Sequence, residues 1–190
     1  MKNILALLLC VSSSFCKGNI EDSATTSAEG VITKRFEFSF GQSLLFISDS
    51  KEIDLRDKEA IILPTSAMLF FVEFRPLNKF RVPVFFNLPT ESKQFLVNGS
   101  LINERANPSF GTGFQYPLFK FNIDKETILE WEMGPFVNVL IPKRGNFLLA
   151  PIAAGRIRIV KKKDFVMYLG TSYSFGIDSW GLIYGTGFLF

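Results

Sequence analysis

The chain is 190 residues long and 47% apolar, with 22 phenylalanines and a formal net charge of +3. That length suits one domain, and the small charge excess gives a nucleic-acid partner little electrostatic support. The complete absence of histidine excludes histidine-based acid–base catalysis, histidine-containing triads and histidine-ligated metals, and no cofactor motif such as a Gly-rich phosphate loop is found.

The opening stretch MKNILALLLCVSSSFC has one early lysine, an apolar run from Ile4 to Val11 and then small residues. This is the layout of a secretory signal, too short to span a bilayer as a helix. Cleavage is expected after Cys16, with Ser14 and Cys16 as the small residues around Phe15, and leaves a chain without cysteine. The rival is a lipoprotein signal acylated at Cys16, against which the bulky Phe15 argues. Residues 17–34 are polar, small and aperiodic, and read as a flexible leader. The expected organisation is therefore a signal peptide over 1–16, a leader over 17–34 and a folded domain over 35–190.

From residue 35 onward the pattern has a period of two, which is that of a β-strand with two unlike faces. In 35–47, Phe36, Phe38 and Phe40 oppose Glu37, Ser39 and Gly41. In 67–75, Met68, Phe70, Val72 and Phe74 oppose a face ending in Glu73 and Arg75. Segments 81–90 and 111–121 contain Pro83 and Pro117 and alternate less cleanly; a bulge near Pro117 would put both Tyr116 and Phe119 on the apolar side. In 128–140, Leu129, Trp131, Met133, Val137 and Val139 alternate with Glu130, Glu132, Gly134 and Asn138. In 148–160, Ile157 and Ile159 alternate with Arg156 and Arg158. Segment 165–176 repeats the pattern, and in 179–190 Trp180, Leu182, Tyr184, Phe188 and Phe190 oppose Ser179, Gly181, Gly185 and Gly187.

Eight strands follow. Two long connections (48–65 and 91–110) and two short ones (PKRGN and ID) fall on one side, and three brief turns (PLNKF, NIDKE and KKKD) on the other. Long loops at one end and tight turns at the other are the layout of an outer-membrane barrel with both termini in the periplasm. Placing Glu132 opposite Arg156 and Glu130 opposite Arg158 centres that hairpin on Arg144. The same reasoning places Arg158 opposite Val166, and Arg156 opposite Tyr168. It sets Phe175 against Trp180 around a two-residue Ile177-Asp178 turn.

A soluble lipocalin-like barrel turns its apolar row inward around a ligand, whereas a membrane barrel turns it toward lipid. The second face here is small and Gly-rich, with glutamates matched to arginines, which suits a narrow lumen better than a water-facing surface. The fold class read from the pattern is all-β: an eight-stranded antiparallel up-and-down transmembrane β-barrel.

The ending GTGFLF (185–190) resembles the C-terminal assembly signal of bacterial outer-membrane β-barrels through Gly185, Phe188 and the terminal Phe190; Ile183 departs from that pattern. The strand pattern extends the likeness over about 35–190, to small members of the OmpA or OmpX kind. The resemblance implies an outer-membrane location, contact with outer-membrane lipids and lipopolysaccharide, and insertion by the barrel-assembly machinery.

The candidate functional residues are few. Glu130, Glu132, Arg156 and Arg158 are expected to form a lumenal salt-bridge ladder, with Glu37, Glu73 and Arg75 on neighbouring inward positions. Lys143 and Arg144 are candidates for lipopolysaccharide contact. Loops 48–65 and 91–110 are long enough to meet an extracellular ligand. Ser172 and Ser174 face the lumen, but a serine without an activating base is a weak nucleophile, so lipid A modification is the lesser reading. The function expected is structural or interactive, without catalysis, metal or cofactor.

Overall fold

The computed structural model describes residues 34–48, 50, 54–55, 59–77, 80–142, 146–162 and 164–190. The expected signal peptide, Cys16 and nearly all of the leader lie outside these residues. Twelve strands run in chain order among them: β1 (Phe36–Ile47), β2 (Ala60–Leu63), β3 (Thr65–Leu77), β4 (Phe80–Pro89), β5 (Lys93–Val97), β6 (Ser100–Glu104), β7 (Ser109–Gly113), β8 (Tyr116–Asn122), β9 (Thr127–Leu140), β10 (Leu148–Lys161), β11 (Phe165–Ser174) and β12 (Ser179–Leu189).

Nine of these make one sheet that closes on itself. The ring passes from β1 to β3, β4, β7, β9, β10, β11 and β12, and β12 returns to β1 with Glu37 opposite Leu189 and Ile47 opposite Ser179. All pairings are antiparallel. Strands β7 and β8 lie end to end along β9 and occupy a single barrel position, so the barrel is eight-stranded. The break between them falls at Phe114 and Gln115, where Gln115 forms an isolated bridge to Arg81. Just beyond it the register of β8 shifts between Pro117 and Phe119, and both Tyr116 and Phe119 are exposed on the outside. Pro117 has no N–H to give a neighbour, so a bulge here is inexpensive.

Closure solves the edge problem and orients the two faces. Phe36, Phe38, Phe86, Trp131, Leu169 and Phe188 all stay substantially exposed on the outer wall. Two aromatic stacks sit toward opposite ends of the barrel: Phe46 on Trp180 (4.1 Å between ring centroids) and Phe119 on Trp131 (5.6 Å). Such an apolar band with aromatic girdles suits hydrocarbon and its interfaces. The soluble alternative needs the apolar row inside, and the structure turns it outside.

Inside, the lumen is layered. Val160, Val166 and Leu189 form a small apolar plug at the end that carries the short turns. Charged residues come next, then a layer of Leu69, Phe71, Phe85, Phe136, Tyr168 and Ile183. Close approach explains two of the lumenal glycines. A Cβ on Gly41 would lie 2.7 Å from both the Tyr168 hydroxyl and the Gly185 Cα, and a Cβ on Gly170 would meet the Arg156 Cβ at 2.5 Å.

Two expected registers are corrected. Tyr173 faces Trp180, and the β11–β12 connection is the four-residue Phe175–Asp178 turn. The two-residue type I′ turn would put Ile177 at positive φ, which a β-branched residue resists; here only Asp178 takes it (φ 43°). Likewise Arg158 faces Tyr168 and Arg156 faces Gly170. Both shifts are by two residues, so every side chain keeps its face.

The long outer loops also hold more order than expected. Strands β2, β5 and β6 form a separate three-stranded sheet in the order β2-β5-β6. Its β5–β6 hairpin turns on Asn98 (φ 49°) and Gly99 (φ 78°), the Asn-Gly pair being a strong two-residue hairpin signal.

Candidate functional site

The charged layer of the lumen is assembled from five strands. Glu37 comes from β1, Glu73 and Arg75 from β3, Arg81 from β4, Glu130 and Glu132 from β9, and Arg156 and Arg158 from β10. Each sits in phase with the inward row of its strand, and all eight are buried. Glu132 is opposite Arg156 and Glu130 opposite Arg158 in the β9–β10 pairing. Long side chains then carry the contacts well beyond that hairpin.

Arg158 Nη1 donates to Glu130 Oε2 (2.8 Å) and Glu132 Oε1 (3.2 Å), and its Nη2 reaches Glu37 on β1. Arg156 Nε donates to Glu132 Oε2 (3.1 Å), while its Nη2 crosses to Glu73 Oε2 (2.7 Å). Arg75 Nη2 donates to Glu37 Oε2 (2.9 Å), and the Ser39 hydroxyl donates to the other oxygen of Glu37 (2.8 Å). Arg81 Nη2 donates to Glu130 Oε2 (2.5 Å) and also pairs with Glu132. The Arg156 guanidinium lies 5.5 Å from the ring centroids of both Phe71 and Tyr168, so the aromatic layer caps the charged one through cation–π contact.

Four glutamates meet four arginines, and the set is neutral. Charge balance is a condition for burying so many ions, since an uncompensated one is very costly. The arrangement therefore joins opposite walls and fills the cross-section. The one serine it holds, Ser39, bonds a carboxylate that Arg75 and Arg158 also engage, and Ser172 and Ser174 lie farther toward the outer end, on β11.

The structure thus brings Glu130, Glu132, Arg156 and Arg158 together with Glu37, Glu73 and Arg75. Arg81 belongs to the same set and was missed. Its signal was weak but present: Arg81, Pro83, Phe85 and Asn87 keep one parity, and all four face inward. Gly185 packs against Gly41 and the Tyr168 hydroxyl. Phe188 and Phe190 point outward, and Phe190 exchanges backbone hydrogen bonds with Phe36 (2.8 and 3.2 Å). Lys143 and Arg144 lie outside the described residues.

An apolar exterior around a neutral, ion-filled interior is the physical inverse of a water-soluble barrel, and it defines the transmembrane β-barrel class. No protein-family model and no curated protein matches the chain. Among solved structures, the outer membrane protein OprG from Pseudomonas aeruginosa is similar with a TM-score of 0.53, at 11% identity over 83% of this chain and 96% of that one. The N-terminal β-barrel domain of Pseudomonas aeruginosa OprF gives 0.49 at 6% identity, covering 83% and 98% of the two chains. The Yersinia pestis protein Ail gives 0.42 at 12% identity, covering 83% and 97%. At 11% identity the likeness to OprG is one of fold: the closed barrel of a bacterial outer-membrane protein.

Proposed function

We propose that this protein is an integral outer-membrane barrel with a structural or surface-interaction role, whose lumen does not conduct and which carries out no catalysis. The observation behind this reading is the neutral cluster of four glutamates and four arginines that ties β1, β3, β4, β9 and β10 together across the lumen. Eight strands leave little more room than side chains fill, and here they fill it with mutually paired ions. The apolar band would contact outer-membrane lipids and lipopolysaccharide. Insertion would use the barrel-assembly machinery, with Gly185, Phe188 and Phe190 as the C-terminal signal. Export would follow signal cleavage after Cys16, and N-terminal sequencing of the mature protein tests that step. Loops 48–65 and 91–110, whose described residues include the β2-β5-β6 sheet, would be the surface offered to an extracellular ligand.

Cell fractionation tests the reading. The protein is expected in the outer membrane, resistant to carbonate extraction, and to show no discrete conductance in planar bilayers. Release with the periplasm would reject the membrane placement, and stepwise currents would reject the closed lumen. Mass spectrometry of lipid A with and without the protein is expected to show identical acylation; an altered acyl pattern would reject the non-catalytic role.

A further inference from the structure

The short-turn end of the barrel is basic. Outside the lumenal cluster its described residues include six cations (Lys34, Arg35, Lys120, Lys125, Lys161 and Lys162) against three carboxylates (Asp124, Glu126 and Asp164). Lys34 pairs with Asp164, and Lys120 Nζ lies 3.9 Å from Glu130. Arg35, Lys125, Lys161 and Lys162 are exposed and make no ion pair among the described residues.

Three of these four gather on two adjoining turns. The Lys162 backbone N–H donates to the Glu126 carbonyl at 2.7 Å, which fastens the β10–β11 turn against the β8–β9 turn that carries Lys125. Lys161 stands opposite Thr127 on β9 and Phe165 on β11. It continues the outward row of Ile157 and Ile159 on β10, so a lipid-facing row ends in an ammonium. Ile123, which is 61% exposed, and the Phe165–Phe188 ring pair (5.6 Å between centroids) flank that row on its two sides. A lysine at the foot of an apolar, aromatic wall lays its stem against acyl chains and lifts its charge into the headgroup layer.

We infer that Lys125, Lys161 and Lys162 form a binding site for the phosphate of an anionic phospholipid in the leaflet that the short turns face, its acyl chains lying against Ile159, Phe165 and Phe188. This rests on the membrane placement proposed above and adds to it a lipid class and a place. The occupant is a lipid and not a free anion because the cations continue the lipid-facing wall without a break. Charge selects the class. Asp124 is engaged by the Glu126 N–H (2.6 Å) and Asp164 by Lys34, and cations outnumber carboxylates at this end, which favours a headgroup with net negative charge over a zwitterion. Each ammonium close to an anionic surface strengthens binding by about fivefold.

The chain's two tryptophans supply the test, since Trp131 and Trp180 stand toward opposite ends of the outer wall. The full chain is refolded into phosphatidylcholine vesicles carrying equal mole fractions of phosphatidylglycerol or phosphatidylcholine brominated on the acyl chain, which quenches nearby tryptophan. Trp180→Phe leaves Trp131 to report the short-turn end, and Trp131→Phe leaves Trp180 as the control. Trp131 is expected to find brominated phosphatidylglycerol enriched about fivefold at low salt, with the enrichment fading at high salt; Trp180 is expected to find none. Lys161→Gln combined with Lys162→Gln should abolish the preference, and Arg105→Gln at the long-loop end should leave it intact. Equal quenching by the two lipids, equal enrichment at both tryptophans, or a preference kept by the lysine variant overturns the proposal. So does displacement of phosphatidylglycerol by inorganic phosphate at matched ionic strength, the mark of a free-anion site. Brominated phosphatidylethanolamine quenching as strongly overturns it too, because Asp124 and Glu126 then take a zwitterion's ammonium. The enrichment is also read in the parent protein, so a variant that fails to refold leaves the proposal open to refutation. Failure of the membrane placement itself looks different: the parent then does not float with the vesicles.

Discussion

The two halves of the lumen are enclosed by the same eight strands and differ in how their polar groups are treated. In the half near the short turns, Arg156 and Arg158 each contact two or more carboxylates, and the contacts cross from β10 to β1 and β3. In the half near the long loops, Asn138 and Ser174 each keep a buried oxygen without a hydrogen-bond partner among the described residues. The first half has the makings of a lock and the second does not. Paired ions in a low-dielectric interior demand neighbours on several sides, so they draw the walls together. Small neutral side chains make no such demand, and the space remains.

That contrast predicts a graded set of mutational effects. The largest belongs to Arg158→Ala, which removes the contacts to Glu37, Glu130 and Glu132 and leaves the buried cluster with one uncompensated negative charge, and it should cost about 3–5 kcal/mol. Urea unfolding in vesicles and loss of the heat-modifiable gel band read the change. Glu132→Ala combined with Arg158→Ala should cost less than the two singles summed; strict additivity would break the picture of one coupled cluster.

Gly41→Ala comes next. The new methyl would meet the Tyr184 carbonyl oxygen first, then the Gly185 backbone and the Tyr168 hydroxyl, and overpacking of this kind costs about 1–3 kcal/mol. Adding Tyr168→Phe should recover part of the loss, because one of the colliding atoms goes while the backbone stays. Full recovery in the same unfolding assay would mean that the hydroxyl alone sets the spacing.

Ser174→Ala in the outer half should shift stability by no more than about 0.5 kcal/mol, since its hydroxyl gives up no hydrogen bond. A loss on the scale of Arg158→Ala would erase the distinction between the halves.

The smallest effect lies outside both halves, in the β8–β9 turn. Asp124 Oδ1 accepts the Glu126 backbone N–H at 2.6 Å, and that bond, with the Thr127 hydroxyl next, holds the Asp124 carboxyl below its ordinary pKa. A depressed folded value means that the turn's stabilisation is complete above the ordinary aspartate range and fades as pH falls through the depressed one. Titration of the Asp124 carboxyl carbon by NMR should place its midpoint below that of an unstructured aspartate. An ordinary midpoint would show the turn bond to be absent in solution.

How much of this was legible beforehand varies by feature. The Glu130–Arg158 and Glu132–Arg156 register could be read because opposite charges at matched spacing select one alignment. The β11–β12 register could not, because Tyr173 and Phe175 are interchangeable opposite Trp180 as far as alternation is concerned. Arg81 escaped notice because Pro83 and Phe85 on the same row blurred its strand. The hairpin of the outer sheet was written in Asn98-Gly99, a pair that tolerates the positive φ angles its turn requires.

Residue order alone therefore carried the strand count, the facing of side chains in the cleanly alternating strands and the presence of charge inside an apolar shell. A period of two is a local property, and each strand states it without reference to its neighbours. Tertiary structure decided the rest: which wall Arg156 and Arg158 reach across to, and where Gly170 makes room for Arg156. Those outcomes depend on ring closure and on the stagger of the strands. An even slip in register leaves every face unchanged while moving each cross-lumen partner, so alternation is blind to it.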